Sequence, residues 1–394
     1  MGMNPVSSEK VRLGLIFGGR SGEHEVSLMS ARSVLHAIDP ARYTVTQIGI
    51  THAGRWVTGL DVLDAFAAEV DGAPASGEHW PVQDAAILGD PTWPGLRALP
   101  DAALNDGAAA ALDLLAEFDV VFPLLHGTFG EDGTLQGLLE LADVPYVGAG
   151  VLASAVGMDK DLFKTVMRAH GIPVVDWLTI SRAEIRSDLD AALERALSLA
   201  PFPLFVKPAN LGSSVGVSRC LSRSDLVEGL FEAARFDRRV LVERGIPAPR
   251  EIEVSVLGND QPQASVVGEI VPSREFYSYE AKYIDGSSEL RIPAALPDEI
   301  AAEVQRLALQ AYRAIDCAGM ARVDFLLTGQ ASGPAGLYLS EINTIPGFTR
   351  ISMYPKLWEA SGLPYPRLID RLVDLALERK ADRDQTERRF RRGA

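Results

Sequence analysis

Between Arg322 and Ser352 the chain concentrates oxygen-bearing and cationic side chains at strand spacing. The run Ala321-Arg322-Val323-Asp324-Phe325-Leu326-Leu327 alternates, so Val323, Phe325 and Leu327 point one way and Arg322 and Asp324 the other. In the following segment, Leu337, Leu339, Glu341 and Asn343 are expected to share one face. A hairpin across Gln330–Gly336 sets Asp324 opposite Glu341 and gathers Asp324, Glu341 and Asn343 beside Arg322. These are hard oxygen ligands of the kind Mg²⁺ prefers, together with substrate phosphates and water. The patch holds no His or Cys, so zinc and copper fit poorly. The same residues also suit a plain hairpin with one solvated, charged face. A lone Asp in an apolar strand, then E-x-N and a Pro-Gly turn, is less usual on such a surface.

A second group lies upstream. Pro203–Pro208 reads as a strand carrying Lys207, followed by Ala209-Asn210-Leu211-Gly212-Ser213-Ser214-Val215-Gly216 and a short strand Val217–Cys220. Backbone N–H groups in such a tip can cradle phosphate oxygens, since glycine lets the main chain approach closely, and Lys207 can neutralise the same phosphates. A P-loop is a different object, because it leads into a helix. As ordinary structure the segment would be a flexible hairpin tip. Glu25 and His126 lie just past the carboxyl ends of two apolar strands, Val11–Phe17 and Phe118–Leu125, where open α/β sheets bind ligands. In the same plain terms, Glu25 is a helix N-terminal acid favoured by the dipole and His126 a histidine holding a turn. Lys160 stands near the start of a helix, Asp159–His170, a poor place for a cation unless an anion is near. Taken alone it reads as a surface lysine.

The elements that must position these groups follow in order. Strand, glycine turn and helix open an α/β domain, with Leu28, Ala31, Leu35 and Ile38 on the helix face. Gly18–Gly22 does not match the dinucleotide fingerprint. Tyr43–Ile50 is the next strand. Ala53 to Asp113, rich in Ala, Gly, Pro and Asp with little periodicity, reads as an insertion of no assigned role. Arg182–Ala200 is expected as one charged helix and Leu226–Ala234 as another. Val240–Ile246 and Arg250–Leu257 are strands, the second with Glu251, Glu253 and Ser255 on one face. Phe276–Ser287, aromatic and polar, reads as a loop over a site. A helix marked by Ile300, Val304, Leu307, Ala311 and Ile315 precedes the Arg322 hairpin. Another begins after Ser352 as its N-cap, and the charged tail from Glu378 is expected to fray.

The 394 residues suggest two to three domains. Hydrophobic content of 47% and charged content of 23% suit a soluble globular protein. A net charge of −15 argues against nonspecific nucleic-acid binding, which needs a basic surface, but not against ATP, which takes a few placed cations. Cys220 and Cys317, distant in sequence, suggest a reducing compartment and no disulfide framework. No secretory signal or membrane-spanning run is visible, so the expected location is cytoplasmic, with no membrane partner.

A phosphate-type hairpin, a lysine before it, an acidic hairpin and an α/β domain with loop acids, in this order, resemble the ATP-grasp superfamily of carboxylate–amine ligases. The match extends to H-G-T-F-G-E-D-G-T-L-Q-G from His126, M-D-K ending at Lys160, V-K-P…G-S-S-V-G around Lys207, Y-E-A-K-Y from Tyr279 and E-I-N-T-I-P-G-F-T from Glu341. As a set these resemble the D-alanine–D-alanine ligase family, over nearly the full chain apart from the insertion and the tail. The resemblance implies a mixed α/β fold, α+β overall, in three domains. These are an N-terminal open parallel-sheet domain (1–154), a central nucleotide clamp with the glycine/serine flap (155–250) and a C-terminal domain with the metal hairpin (251–380). A charged tail follows (381–394).

The resemblance further implies ATP held between the central and C-terminal domains. Lys160, Lys207, Ser213 and Ser214 would bind its phosphates, Glu243 and Ile246 would meet the adenine, Glu251 the ribose, and Lys282 the γ-phosphate. Asp324, Glu341 and Asn343 would hold two Mg²⁺, with Mn²⁺ able to substitute. Glu25 would pair with the first D-alanine's ammonium, His126 would help bind that substrate, and Glu25, Ser213 and Tyr283 would form a hydrogen-bonded set. Arg322, Gly347, Ser352 and Met353 would serve the second D-alanine and the oxyanion. The implied reaction joins two D-alanines through an acylphosphate for peptidoglycan synthesis, in a homodimer. A D-alanine–D-lactate ligase is the nearest rival, but relatives of that type lack the pair Lys282-Tyr283 present here. The residues also leave room for another amino-acid ligase of the superfamily, for a nonenzymatic nucleotide-binding module and, on Gly18–Gly22 alone, for a nicotinamide dehydrogenase.

Overall fold

The computed structural model describes residues 9–70, 82–100, 112–271, 289–328 and 336–388. Apolar runs in the first part form β1 (Val11–Gly18), β2 (Tyr43–Ile50), β3 (Trp56–Thr58), β4 (Gln83–Ile87), β5 (Leu96–Ala98), β6 (Leu114–Ala116) and β7 (Val120–Pro123). They make a seven-stranded sheet in the order β6-β5-β4-β3-β2-β1-β7. β1 runs parallel to both β2 and β7, so the chain leaves β1 and β7 on the same edge of the sheet, at the carboxyl ends where loops meet. The stretch after Ala53, read as an insertion of no assigned role, contributes strands to the first sheet. β3, β4 and β5 extend the sheet by antiparallel pairing, and the helix Val62–Val70 packs Val62 and Phe66 into its core. These strands are three to five residues long, too short to show a period.

The middle of the chain forms β8 (Trp177–Ser181), β9 (Leu204–Pro208), β10 (Ser218–Cys220) and β11 (Arg239–Arg244), an antiparallel sheet in the order β10-β9-β11-β8. Instead of one helix over Arg182–Ala200 there are two, Arg182–Ser187 and Leu189–Leu199. Asp188 divides them, because its carboxylate accepts from Ala191 N and caps a new helix. The last sheet comprises β12 (Arg250–Gly258), β13 (Gln263–Val271), β14 (Glu289–Arg291), β15 (Gly319–Leu327) and β16 (Leu337–Asn343), in the order β14-β13-β12-β15-β16. Both cysteines are buried and unbridged. Among the described residues no helix is long and apolar enough to cross a membrane.

The cores show which parts are packed together. Leu13, Leu15 and Phe122 of the first sheet share one hydrophobic cluster with Leu368, Ile369 and Leu372 of the helix Tyr365–Arg383. The four-stranded sheet has its own separate cluster. The predicted fraying from Glu378 is also corrected: the helix continues to Arg383. There Arg379 donates to Tyr146 O at 3.1 Å, and Arg383 pairs with Glu140 and with Asp143 at 2.9 Å. A charged helix end is held when each cation meets a partner.

Candidate active site

A cleft of about 1420 Å³ is lined by strands of the second and third sheets and by loops and helices that leave all three. At one wall, β15 and β16 pair with Arg322 opposite Asn343 and Asp324 opposite Glu341. One expectation fails here. Glu341 does not share a face with Leu337 and Leu339, because the register shifts between Asp324 and Phe325, whose partner is Leu339. Ser340 is therefore an extra residue, a β-bulge that turns Glu341 over to the face of Asp324. Without it, period two would carry Glu341 to the buried side. Leu337 and Leu339 are buried, whereas Asp324, Glu341 and Asn343 border the cleft.

Arg322 forks onto Asp324 at 2.8 and 2.7 Å and lies 3.0 Å from Glu253. Burial opposes its charge, yet Asp324 and Glu253 hold its pKa well above the ordinary value. Asn343 Nδ2 donates to Asp324 at 3.0 Å. Among the described residues, no group of three or more His, Cys, Asp or Glu side chains is arranged for a metal. The set here is two facing carboxylates and an amide, all able to offer oxygen, which suits a hard divalent cation. Arg322 thus has two carboxylate partners, Asp324 and Glu253.

Facing this wall, the loop after β9 puts non-glycine residues in the left-handed region, Ser213 at φ 52° and Ser214 at φ 58°, with Gly216 at 69°. That conformation is uncommon for serine and clusters at ligand clamps. Lys160 reaches this loop: its ammonium donates to Leu211 O at 2.6 Å and its backbone N–H to Ala209 O. Asp159, the N-cap, bonds Leu162 N and pairs with Arg239 on β11. Lys207 on β9 meets Glu243 on β11 at 2.6 Å, and the buried Lys164 meets the other oxygen of Glu243 at 3.1 Å. Burial works against the charge of Glu243, yet the two lysines hold its pKa down at about 2. Lys164 escaped the sequence reading. The signal was there, a lysine beside Phe163 and Met167 in the apolar stripe of its helix.

Of the two acids at this turn, Glu23 borders the cleft and Glu25 does not. Glu25 is half-exposed, 3.6 Å from His52. Glu23 ends the turn before the helix His24–Ala37, and its carboxylate accepts from Ser213 Oγ. A Cβ on Gly127 or Gly212 would meet Glu23 Oε2 at 2.6 or 2.7 Å, so two glycines clasp this carboxylate. The two acids differ by two positions, and where the helix begins decides which one faces inward.

His126 Nδ1 lies 3.0 Å from Ile345 O and Nε2 lies 3.0 Å from Ser30 Oγ. A carbonyl only accepts, so Nδ1 carries the proton and Nε2 accepts from the serine. Burial lowers the pKa of His126, against the charge of Glu23, which raises it. Glu131 accepts from Gly127 N at 2.7 Å and Ile345 N at 3.1 Å. His126 and Glu131 thus grip both backbone groups of Ile345, two residues beyond Asn343. Burial and the charge of Glu23 push the Glu131 carboxyl up to about 8.

At the far end, Gly347, Ser352 and Met353 border the cleft. Ser352 occupies the N-cap position of the helix Met353–Ala360, but its hydroxyl makes no cap bond there. It accepts from Thr349 N at 3.1 Å instead. Ile246 and Glu251 also line the cleft. Lys282 and Tyr283 lie outside the described residues.

Two family models match this chain, one described as D-ala D-ala ligase N-terminus over residues 12–149 and one as D-ala D-ala ligase C-terminus over residues 166–374. The D-alanine–D-alanine ligase of Acetivibrio thermocellus is 46% identical over 387 residues, covering 95% of this chain and 98% of that protein. That of Thermoanaerobacter sp. strain X514 is 49% identical, covering 94% and 97%. Among solved structures, the D-alanine–D-alanine ligase from Coxiella burnetii matches with TM-score 0.77 at 38% identity, covering 96% of this chain and 97% of that one. The VanG D-Ala:D-Ser ligase from Enterococcus faecalis matches with TM-score 0.78 at 32% identity, covering 93% and 100%.

Proposed function

This chain belongs to the D-alanine–D-alanine ligase family, and from that premise we propose how its cleft joins two D-alanines at the expense of ATP. The observation that carries the reading is the facing of two groups across one cleft. On one side are the serine loop with Lys160 and Lys207, on the other the Asp324–Glu341 pair, with Glu23 bonded to Ser213 at their junction.

Lys160, Lys207 and the loop of Ser213 and Ser214 hold the ATP phosphates, with Lys282 on the γ-phosphate. Glu243 and Ile246 border the adenine and Glu251 the ribose. A divalent cation, Mg²⁺ or Mn²⁺, held by Asp324, Glu341 and Asn343 supplies charge neutralisation at the phosphates when bound. Glu23 takes the role first given to Glu25 and pairs with the ammonium of the first D-alanine, fixed by Ser213 and Tyr283. His126 shapes that subsite through Ile345. The carboxylate of the first D-alanine attacks the γ-phosphorus and ADP leaves. This step needs positioning more than covalent help. The amine of the second D-alanine then attacks the acylphosphate carbonyl. Arg322 and the Gly347 N–H meet the oxyanion, the attacking nitrogen gives its surplus proton to solvent, and phosphate departs as the peptide bond forms. Ser352, Met353 and the uncapped helix N-terminus receive the second carboxylate. The domains 1–154, 155–250 and 251–380 close around these substrates, in a cytoplasmic homodimer serving peptidoglycan synthesis.

The test is ADP release with D-alanine, L-alanine, D-lactate or D-serine as acceptor, followed by product analysis. D-alanyl-D-alanine as the main product, with no ADP from L-alanine, is expected. An ester product or a D-serine preference would move this chain to the depsipeptide or D-Ala:D-Ser type.

A further inference from the structure

Two lysines share one buried carboxylate, and only one of them reaches the cleft. Glu243 is 7% exposed and gives one oxygen to each: Lys207, 20% exposed, at 2.6 Å, and Lys164, 2% exposed, at 3.1 Å. Lys207 borders the cleft, whereas Lys164 stands behind Glu243, on the helix Lys160–Ala169. We propose that Lys164 is a positioning residue for the nucleotide: it holds the Glu243 carboxylate from behind, so that Lys207 can turn to phosphate without stranding a buried charge. The inference rests on the reading of Lys207 as a phosphate ligand.

The reason is electrostatic. Breaking a buried ion pair by removing one partner is costly, because the remaining charge stays desolvated. With Lys164 present, a phosphate that draws Lys207 leaves Glu243 still paired. With Lys164 gone, Lys207 is the remaining ion-pair partner of Glu243 among the described residues. Phosphate must then compete with that carboxylate for the one lysine. Lys164 touches no nucleotide in this account, and its effect passes entirely through Glu243. Neutralising Glu243 must therefore abolish it.

That requirement sets the experiment, a double-mutant cycle read by calorimetric titration of ADP at saturating magnesium. Lys164→Met is expected to weaken ADP by at least about tenfold, with the KM for ATP rising in step and kcat at saturating ATP within about threefold. In the Glu243→Gln background the same substitution is expected to change ADP affinity by less than about twofold. An equal loss in both backgrounds would mean that Lys164 is merely structural and would overturn the inference, as would unchanged ADP affinity for Lys164→Met. If Lys164→Met fails to fold, Lys164→Gln replaces it in both backgrounds, and the same two outcomes decide. Lys207→Ala separates this inference from its premise. If ADP binds Lys207→Ala as tightly as the parent, the phosphate reading fails. If Lys207→Ala weakens ADP and Lys164→Met does not, only the present inference fails.

Discussion

At the scale of single residues, charges in this cleft are held by specific protein partners. Glu23 is the sharpest case, with its carboxylate on Ser213 and between Gly127 and Gly212. Glu23→Ala is expected to lower kcat/KM by about 100-fold or more, while Glu25→Ala stays within about threefold. Steady-state kinetics with D-alanine checks both, and an inverted order would restore Glu25. Glu243 makes a prediction in pH. Its pKa, ordinarily 4.5, is about 2 in the folded state, so the folded protein binds fewer protons than the unfolded chain between these values. The stabilisation it contributes is complete above 4.5 and is lost as pH falls from there towards 2. Urea midpoints between pH 6 and 3 should fall less steeply in Glu243→Gln than in the parent, and parallel slopes would contradict the pairing.

At the scale of elements, the chemistry depends on two local departures from regularity. One is the bulge at Ser340, which brings Glu341 to Asp324. The other is the exit from β1. Gly18 has φ 89°, and a Cβ there would meet the carbonyl oxygen of Ile50 at 2.3 Å. Gly18→Ala should therefore cost about 2 kcal/mol or more of stability, since both the backbone conformation and a neighbouring strand resist it. Gly22→Ala, with nothing within 4 Å, should cost far less. Thermal unfolding of the two variants is the check. These departures mark where sequence reasoning stopped. Tyr43–Ile50 was legible to the residue, and the pairing of Asp324 with Glu341 followed from alternation and the turn. The bulge was not, because alternation assumes an unbroken period. Nor was the choice of Glu23 over Glu25, because it turns on where one helix begins.

At the scale of the molecule, the N-terminal sheet and the C-terminal helix share a core, and Arg42, Arg379 and Arg383 link them at the surface. A fragment ending at Gly150 would expose Leu13, Leu15 and Phe122 where Leu368, Ile369 and Leu372 now cover them. It should lack a cooperative thermal transition, and a sharp transition near that of the whole protein would contradict the shared core. The long-range cover of one end of the chain by the other left no local pattern to read, whereas the motif residues were legible because each carries its chemistry in its side chain.

The central claim is that phosphate leaves this cleft bearing an oxygen taken from the first D-alanine. D-alanine labelled with heavy oxygen in its carboxylate, turned over with unlabelled ATP, tests it by mass spectrometry of the released phosphate. One labelled oxygen in each phosphate, with D-alanyl-D-alanine formed in equal amount, is the result expected. Unlabelled phosphate beside the same dipeptide would contradict it.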